Sequence, residues 1–503
     1  MVTTPGVSPN TAASFTTERT ALLSITSGRL EVDAPERWTW RDLNREVLVL
    51  GWLGTPVTVA SALQLLKIVI PGMILGRLGT DAIGASALAS SVASFTAAAP
   101  LLGLLYALDT LCSQASTGSS RPGLSGIYLQ RCVLLCLAAF LPAAILWWNI
   151  HPVLIYLKQD PVIAAMASRY LRYEIFSFFF KAVFESTKKF FIAQGFHHAI
   201  SLVQIMSIPM LVVFIYFLTI YPTTSIGFVG VPASVALSYV MSSLMAFAWL
   251  KAFGASRGWA GLSWEAFRGW DRMARLSIPG FLVAGTKTMA FDMLVVATSY
   301  LSPATLAAQA IIMMTIQCAG TVLLGLSAVA ANRVGNLLGL VQPHRARNAA
   351  YAAVLCGTGV GMIFAVALLV VRHRWSYVFN PDPQVHAIFV RMVPTLAALI
   401  VIMVLASFAN AILRGQGRPK IGAYINMATY YLVGAPVGFL TFHYTAAGIM
   451  GLWMALFLAM SLSTIGQLYF VLGSDWPDEV ARCKARLSHD EHRANSASDI
   501  TPV

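Results

Sequence analysis

Pro56-Val-Thr-Val-Ala-Ser-Ala-Leu-Gln64 and Pro279-Gly-Phe-Leu-Val-Ala-Gly-Thr-Lys287 stand 223 residues apart, and each opens one copy of a long design written twice. Leu78 and Ala87 recur at the same offset as Leu301 and Ala310. Arg169 recurs as Arg391 and Gln194-Gly195 as Gln416-Gly417, 222 residues on, and Gly227-x-x-Gly230 recurs as Gly448-x-x-Gly451 after 221. An offset this steady is an internal duplication, and its units are too long for solenoid repeats. In a chain this apolar, two such halves mean two bundles of membrane helices facing one another, the arrangement in which transporters place their solute sites.

Composition agrees. Mean hydropathy is +0.70, and 57% of residues are hydrophobic against 11% charged, where a soluble domain carries about 25% charged residues. Twelve apolar stretches approach the ~20 residues needed to span a bilayer. They cover 48–72, 82–110, 127–149, 166–190, 200–221 and 228–251, then 276–300, 304–331, 348–371, 386–412, 421–442 and 446–471. The expected fold is an all-α integral membrane protein, with twelve transmembrane helices in two pseudo-symmetric six-helix lobes around a central cavity. The first lobe is expected over 46–252, a linker over 253–275 and the second lobe over 276–472.

Lys and Arg orient the chain. The even-numbered connections hold Arg121, Arg131, Lys188, Lys189, Lys251, Arg257, Arg268, Arg272, Arg275, Arg333, Arg345, Arg347, Arg414, Arg418 and Lys420. The odd-numbered ones hold little beyond Arg77, Lys158, Arg372 and Arg374. Both termini and the even loops are therefore expected in the cytoplasm. The formal charge of +13 is this topological signal, and nucleic acid is not an expected partner.

Residues 1–45 are polar and Ser/Thr-rich, without the apolar core of a signal peptide, and read as a disordered tail. Within them Glu18, Leu22 and Leu23 match an acidic dileucine pattern, read either as a vacuolar sorting signal or as a chance match. Residues 473–503 also read as a tail without structure. The linker's Trp264 and Trp270 are expected at the membrane interface. Six cysteines show no paired arrangement and read as reduced helix residues.

Catalytic chemistry is missing from the pattern. There is no phosphate-binding GxxxxGK[ST] loop, and Gly357-Thr-Gly359-Val-Gly361 lies in an apolar helix where small residues favour close packing. His197-His198 diverge on a helix and have no companion ligands. The expectation is a protein that is not an enzyme and needs no cofactor or metal.

Several motifs carry a resemblance. Ala107-Leu-Asp109-Thr110-Leu-Cys112-Ser-Gln114-Ala115 with Gly126-Ile-Tyr-Leu-Gln130-Arg131 resembles the ALDTLCGQA and YLQR signatures of eukaryotic MATE (multidrug and toxic compound extrusion) transporters. Gly76-Arg77-Leu78-Gly79 is similar to that family's GHLG, with Arg for His, and Asn332-Arg333-Val334-Gly335-Asn336-Leu337 to its RVSNELG. Leu413-Arg414-Gly-Gln416-Gly-Arg418-Pro-Lys420-Ile-Gly422-Ala-Tyr424 resembles LRGxGxQKIGAY. Tyr431-Leu-Val-Gly-Ala-Pro436-Val-Gly438 and Asp475-Trp476 resemble two further signatures. The resemblance implies a monomer with two six-helix lobes that exports a small organic molecule, usually a cation, against protons or sodium.

A charge at membrane depth costs ~2.5–3.5 kcal/mol on insertion scales, so it persists only with a partner or a task. Eukaryotic members of the family carry two acids on helix 7. Here the first has become Lys287 and the second remains as Asp292. The usual helix 10 acid is Met403, and the Glu often found near Gln309 on helix 8 is absent. The resemblance makes Asp292 and Asp109 the expected ion-coupling residues, Asp109 having a structural reading at its helix end as well. Lys287, its repeat mate Gln64, Lys181 (repeat mate of Met403), Thr288, Gln309 and Met403 are the expected cavity residues. Lys181 has Glu185 one turn on and Glu174 two turns back, so a local ion pair and a cavity role stand side by side. Lys67, near the outer end of its helix, reads as a snorkelling lysine. Glu185 reads as a gate or fold residue, and Arg169 and Arg391 as anchors or outer-gate cations. Pro56 and Pro279 break helix interiors and allow bending.

Three functions follow from this set. The first is export of a small organic solute in antiport with protons, at a vacuolar or plasma membrane of a eukaryotic cell. The second is potential-driven carriage of an organic anion or neutral metabolite, with Lys287 and Lys181 as counter-charges. The third is a flippase-like or non-transporting relative.

Overall fold

The computed structural model describes residues 40–498 except 122, 252–257, 300, 380–381 and 445–447. Glu18, Leu22 and Leu23 lie outside the described residues. The chain divides at residue 42; the unit ending at Asp42 contributes only the first turn of a helix to the described residues, and Leu43 onward holds everything else.

Among the described residues, twelve long helices run back and forth. They are α1 (Trp40–Leu78), α2 (Asp81–Gly118), α3 (Leu124–Trp148), α4 (Pro161–Ala193), α5 (His197–Ile220) and α6 (Gly227–Trp249), then α7 (Trp270–Ser299), α8 (Pro303–Gly339), α9 (Pro343–Trp375), α10 (Pro383–Gly415), α11 (Pro419–Tyr444) and α12 (Gly448–Leu472). No strand occurs among the described residues. Eleven are long and apolar enough to cross a membrane. The exception, α4, carries Arg169, Arg172, Glu174, Lys181, Glu185, Lys188 and Lys189, and it is tolerated because it packs between α2, α3 and α6 with much of that polarity turned inward.

The duplication is visible in atomic detail. Asp160-Pro161 and its repeat mate Asp382-Pro383 start α4 and α10 alike. Each Asp caps its helix from a side-chain oxygen, accepting from Val162 and Ile163 in one copy and from Gln384 in the other. Proline at the first helical position forfeits a donor that would lack a partner anyway. The two helices also end alike, on Gly195 (φ +85°) and Gly417 (φ +76°), in the left-handed conformation that side chains resist. Trp147 at the end of α3 donates to Thr96 of α2, and Trp375 at the end of α9 donates to Thr315 of α8, each at 2.9 Å.

Crossings between lobes repeat too. Gly103 of α2 meets the backbone of Ser277 and Phe281 on α7, where an added Cβ would lie 2.7 Å from Ser277 O. In the other copy Gly325 of α8 meets the carbonyl of Val57 and the side chain of Ser61 on α1, where a Cβ would lie 2.9 Å from Val57 O. Both contacts fall beside Pro56 and Pro279, which do not interrupt their helices: α1 and α7 run through them as continuous helices. Ser201 donates to the Pro56 carbonyl, which holds α1 to α5 at this point.

One expectation about the tails is overturned. The described part of the C-terminal segment is not a structureless tail: Trp476–Ser498 form a further helix, α13. It packs on α2, α8 and α9. Arg486 donates to the carbonyls of Gln416 and Gly417 at 2.8 and 3.2 Å, closing orphan groups at the end of α10. Arg418 pairs with the buried Glu479 at 2.8 Å. These partners lie in the preceding loops, which is why the polar composition alone reads as disorder. The described part of the linker is structured too. Its Trp264–Phe267 turn is tied to the start of α3 by a bidentate pair of Glu265 with Arg121 of the preceding loop, and Gln130 of α3 donates to the nearby Gly261 carbonyl at 2.8 Å.

Candidate functional site: two half-sites and a lock

In the first lobe, Gln64 of α1 and Glu185 and Lys188 of α4 form a closed triangle. Gln64 donates to Glu185 Oε1 at 2.9 Å, Lys188 donates to Gln64 Oε1 at 3.1 Å, and Lys188 pairs with Glu185 Oε2. Lys181 has no ion pair among the described residues, because Lys188 occupies Glu185 instead. Lys67 does not snorkel. It is 5% exposed, its ammonium lies 3.2 Å from Ser242 Oγ and 4.4 Å from the Tyr239 ring centre. The rotation of α1 turns this lysine into the lobe, where hydroxyl and ring faces replace water.

The second lobe has a different interior. A cavity of about 70 Å³ is lined by Lys287 and Val283 of α7, Ser327 of α8, Ser407, Asn410 and Arg414 of α10, and Asn426 and Tyr430 of α11, with Tyr106 of α2 reaching in from the other lobe. A π-helical turn, Ala428–Gly434, presents Tyr430 to it, a distortion common at functional positions. No carboxylate lines this space. Lys287 has no hydrogen bond or ion pair with any described residue. By the repeat offset Gln64 corresponds to Lys287, Glu185 to Ser407, Lys188 to Asn410 and Gln204 to Asn426. The ion-paired corner of one lobe is thus a cationic, uncompensated corner in the other.

Other expected residues lie apart. Asp292 is half-exposed on α7, unpartnered among the described residues, and not among the residues lining the Lys287 cavity. Thr288 and Met403 do not line it either, Met403 being packed inside α10's core face at 2% exposure. Gln309 borders a separate apolar cavity of about 420 Å³, between α1 of one lobe and α7 and α8 of the other, and accepts from Trp453 at 2.9 Å. Arg169 and Arg391 are both exposed.

Asp109 is fully buried where the lobes meet. It pairs with Lys189 at 2.8 Å and with Arg414 at 3.9 Å, and Asn332, its own repeat mate, donates to it at 3.5 Å. Around it Thr110 donates to the Arg414 carbonyl at 2.6 Å, Gln114 to Gly415 at 2.9 Å, and Thr117 to Asn336 at 2.8 Å. A buried bidentate pair joins Glu46 of α1 to Arg333 of α8 at 2.9 and 3.0 Å. All of these inter-lobe bonds lie toward the end that carries the even-numbered connections. Together they form a lock on that end. The sequence pattern pointed to Asp109 but not to Arg414, Lys189 or Glu46. Their signal lay in the quoted motif around Arg414 and in the charges flanking each helix end, which a linear reading assigns to topology.

Twelve helices in two duplicated lobes, a polar half-site in each, and a lock at one end describe a machine for passing a solute between two faces. The profile of the MatE family matches residues 56–218 and 285–440. The chain belongs to the MatE family. Among its relatives are the uncharacterized transporter C4B3.13 of Schizosaccharomyces pombe, 30% identical over 90% of this chain and 83% of that one, and Protein DETOXIFICATION 16 of Arabidopsis thaliana, 28% identical over 92% and 95%. In three dimensions it is similar to the eukaryotic MATE transporter AtDTX14, with a TM-score of 0.82, 24% identity, and coverage of 89% and 100%. It is also similar to a Pyrococcus furiosus transporter of the MOP superfamily described as having a binding pocket of reverse polarity (TM-score 0.74, 15% identity, coverage of 89% and 100%). As a MatE protein the chain is a multi-pass membrane transporter of small organic molecules, not an enzyme.

Proposed function

We propose that this MatE transporter exports an organic solute bearing a carboxylate or another strong acceptor group, rather than an organic cation, by alternating access. One observation carries the reading: the second lobe's cavity presents Lys287 and Arg414 beside neutral hydroxyls and amides, with no acid. A cation entering it meets like charge at low dielectric, whereas a carboxylate finds a lysine ammonium and a guanidinium fork. The cavity is small in this state, so the solute's apolar body is accommodated as the lobes part, the large apolar cavity along α1, α7 and α8 offering the surface.

Protons are the counter-ion in this reading, and Asp292, the unpartnered acid on the helix of Lys287, takes them. Anion export and proton import both move positive charge inward. Each charge crossing 100 mV releases ~2.3 kcal/mol, so potential and pH gradient drive the same cycle. The even-loop end is cytoplasmic, the membrane is vacuolar or plasma, the working unit is a monomer, and the state seen here is the one closed to the cytoplasm.

Uptake of salicylate and of tetraethylammonium into proteoliposomes tests this, under an imposed pH gradient and separately under a potassium diffusion potential. Salicylate is expected to move and tetraethylammonium is not. Asp292→Asn is expected to remove the pH-driven part and leave the potential-driven part. Efficient tetraethylammonium transport by the unaltered protein would sink the solute assignment, and unchanged pH-driven transport in Asp292→Asn would sink the coupling assignment.

A further inference from the structure

The solute cavity and the inter-lobe lock share one side chain. Arg414 lines the cavity, and its Nε is 3.9 Å from Asp109 Oδ2. Its surroundings are uneven. The backbone is pinned, with its own carbonyl bound by Thr110 and that of Gly415 by Gln114. The guanidinium is held loosely: it donates no hydrogen bond to any described residue, its buried Nε is unpaired, and it rests over the Tyr106 ring at 4.1 Å. A well-formed bond from guanidinium to carboxylate measures about 2.7–2.9 Å, so the contact with Asp109 is an ion pair without a hydrogen bond. Tyr106 also lines the cavity, so the ring forms a surface along which the guanidinium can turn.

We infer that Arg414 is exchanged between lock and solute: an anion in the cavity holds the guanidinium off Asp109 and so favours the state open at the even-loop end, in which an exported solute loads, while the return of the guanidinium to Asp109 accompanies closure. This rests on the anion reading of the cavity given above. Asp109 keeps Lys189, which belongs to its own lobe, and loses the one charged partner it has across the lobe boundary among the described residues. Asn332 remains as a neutral cross-lobe contact. A ligand shifts an equilibrium only through interactions that differ between the two states, and here the difference is one guanidinium that serves either Asp109 or the solute. A planar carboxylate or sulfonate accepts the guanidinium fork at two points. A neutral molecule of the same size can fill the cavity without offering that exchange, so selectivity arises in the opening step as well as in binding.

The experiment uses the full-length protein in lipid nanodiscs, with nitroxide labels at the exposed positions Lys251 and Lys420 of the even-loop end, one in each lobe, after substitution by cysteine. Salicylate and benzyl alcohol serve as anionic and neutral probes, and signal from the partly exposed Cys318 and Cys356 is removed with the singly labelled parents. Salicylate is expected to lengthen the inter-label distance and benzyl alcohol to leave it unchanged. Asp109→Asn is expected to lengthen it without any probe and to tighten salicylate binding about tenfold, since the closed state no longer competes. Arg414→Gln, which removes the same contact from the other side, is expected to start at the lengthened distance, to bind salicylate more weakly, through Lys287, and to show no further lengthening with it. Salicylate bound in a Lys287-dependent way to the unaltered protein with no change of distance overturns the exchange while leaving the anion reading intact, as does an Arg414→Gln protein that starts at the unaltered distance or lengthens further with salicylate, the variant that decides the matter should Asp109→Asn fail to fold. No Lys287-dependent binding of salicylate overturns the anion reading and the exchange with it.

Discussion

Set the corner around Gln64 beside the corner around Lys287. Both descend from one ancestral six-helix unit, both sit where helix 1 of the unit passes helix 4, and their chemistry is opposite. In the first lobe Glu185 is satisfied by Gln64 and Lys188, and every member of the triangle has a partner. In the second, Ser407 and Asn410 stand in the places of Glu185 and Lys188, and Lys287 faces them alone. A membrane interior does not keep an unpaired ammonium without a task. The first corner therefore reads as the structural one and the second as the binding one. On the proposed reading, the duplication placed two equivalent corners in the molecule, and the one with Ser407 and Asn410 in place of an ion pair is the one open to a solute.

The largest effect should come from breaking the satisfied corner. Glu185→Gln leaves Lys188 without its carboxylate, and breaking a buried pair costs about 3–5 kcal/mol. The apparent melting temperature of the detergent-purified protein should fall sharply, and adding Lys188→Met should recover part of the loss. A melting temperature that does not move means the triangle is incidental.

Next comes the binding corner. Lys287→Glu should lower the specificity constant for salicylate uptake by roughly a hundredfold, the worth of a charge-assisted bond turned into a repulsion, with little change in melting temperature. Gln64→Glu, the same change at the repeat mate, should do far less to uptake. Equal losses in the two variants would erase the distinction between the lobes.

A smaller effect should follow from rebuilding the first corner in the second lobe. Ser407→Glu with Asn410→Lys gives Lys287 a carboxylate to share and should reduce salicylate uptake about tenfold. Undiminished uptake would show that Lys287 is not engaged through this face.

The smallest effect concerns the coverings of the two lobes. The end of the first lobe is covered by the linker and that of the second by α13, whose buried Glu479 is held above the ordinary carboxylate range by burial, which outweighs Arg418, Arg482 and Arg486 around it. A raised pKa in the docked state means that docking is most favourable below the ordinary value of 4.5 and weakens as pH rises through the raised one. The spectrum of a nitroxide at Lys484, replaced by cysteine, should report a slightly more mobile α13 at neutral than at acidic pH, and Glu479→Gln should flatten that dependence. The opposite slope would mean that the arginines dominate.

How much of this was legible beforehand differs by residue. The caps Asp160 and Asp382, the prolines Pro56 and Pro279 and the mates Gln64 and Lys287 all stand at fixed offsets, so the chain displays them. Asp109 was legible as a marked residue but not as the centre of a lock, because Arg414 lies 305 positions away. The inward turn of Lys67 was misread because linear position near a helix end says nothing about which way the helix faces. The helix α13 was missed because its partners are loop carbonyls and Arg418, which lie outside its own sequence.

The sequence by itself determined the number, length and duplication of the helices, because lipid offers backbone amides no alternative to pairing within a helix, and apolar runs of the right length leave no other fold. Only the tertiary structure decided which charges are matched and which are left free. Whether Lys181 or Lys188 takes Glu185, or whether Glu46 finds Arg333 from 287 residues away, depends on helix rotation and crossing to within an ångström or so. Those are set by side-chain packing between helices distant in the chain, and periodicity along a single helix carries no record of them.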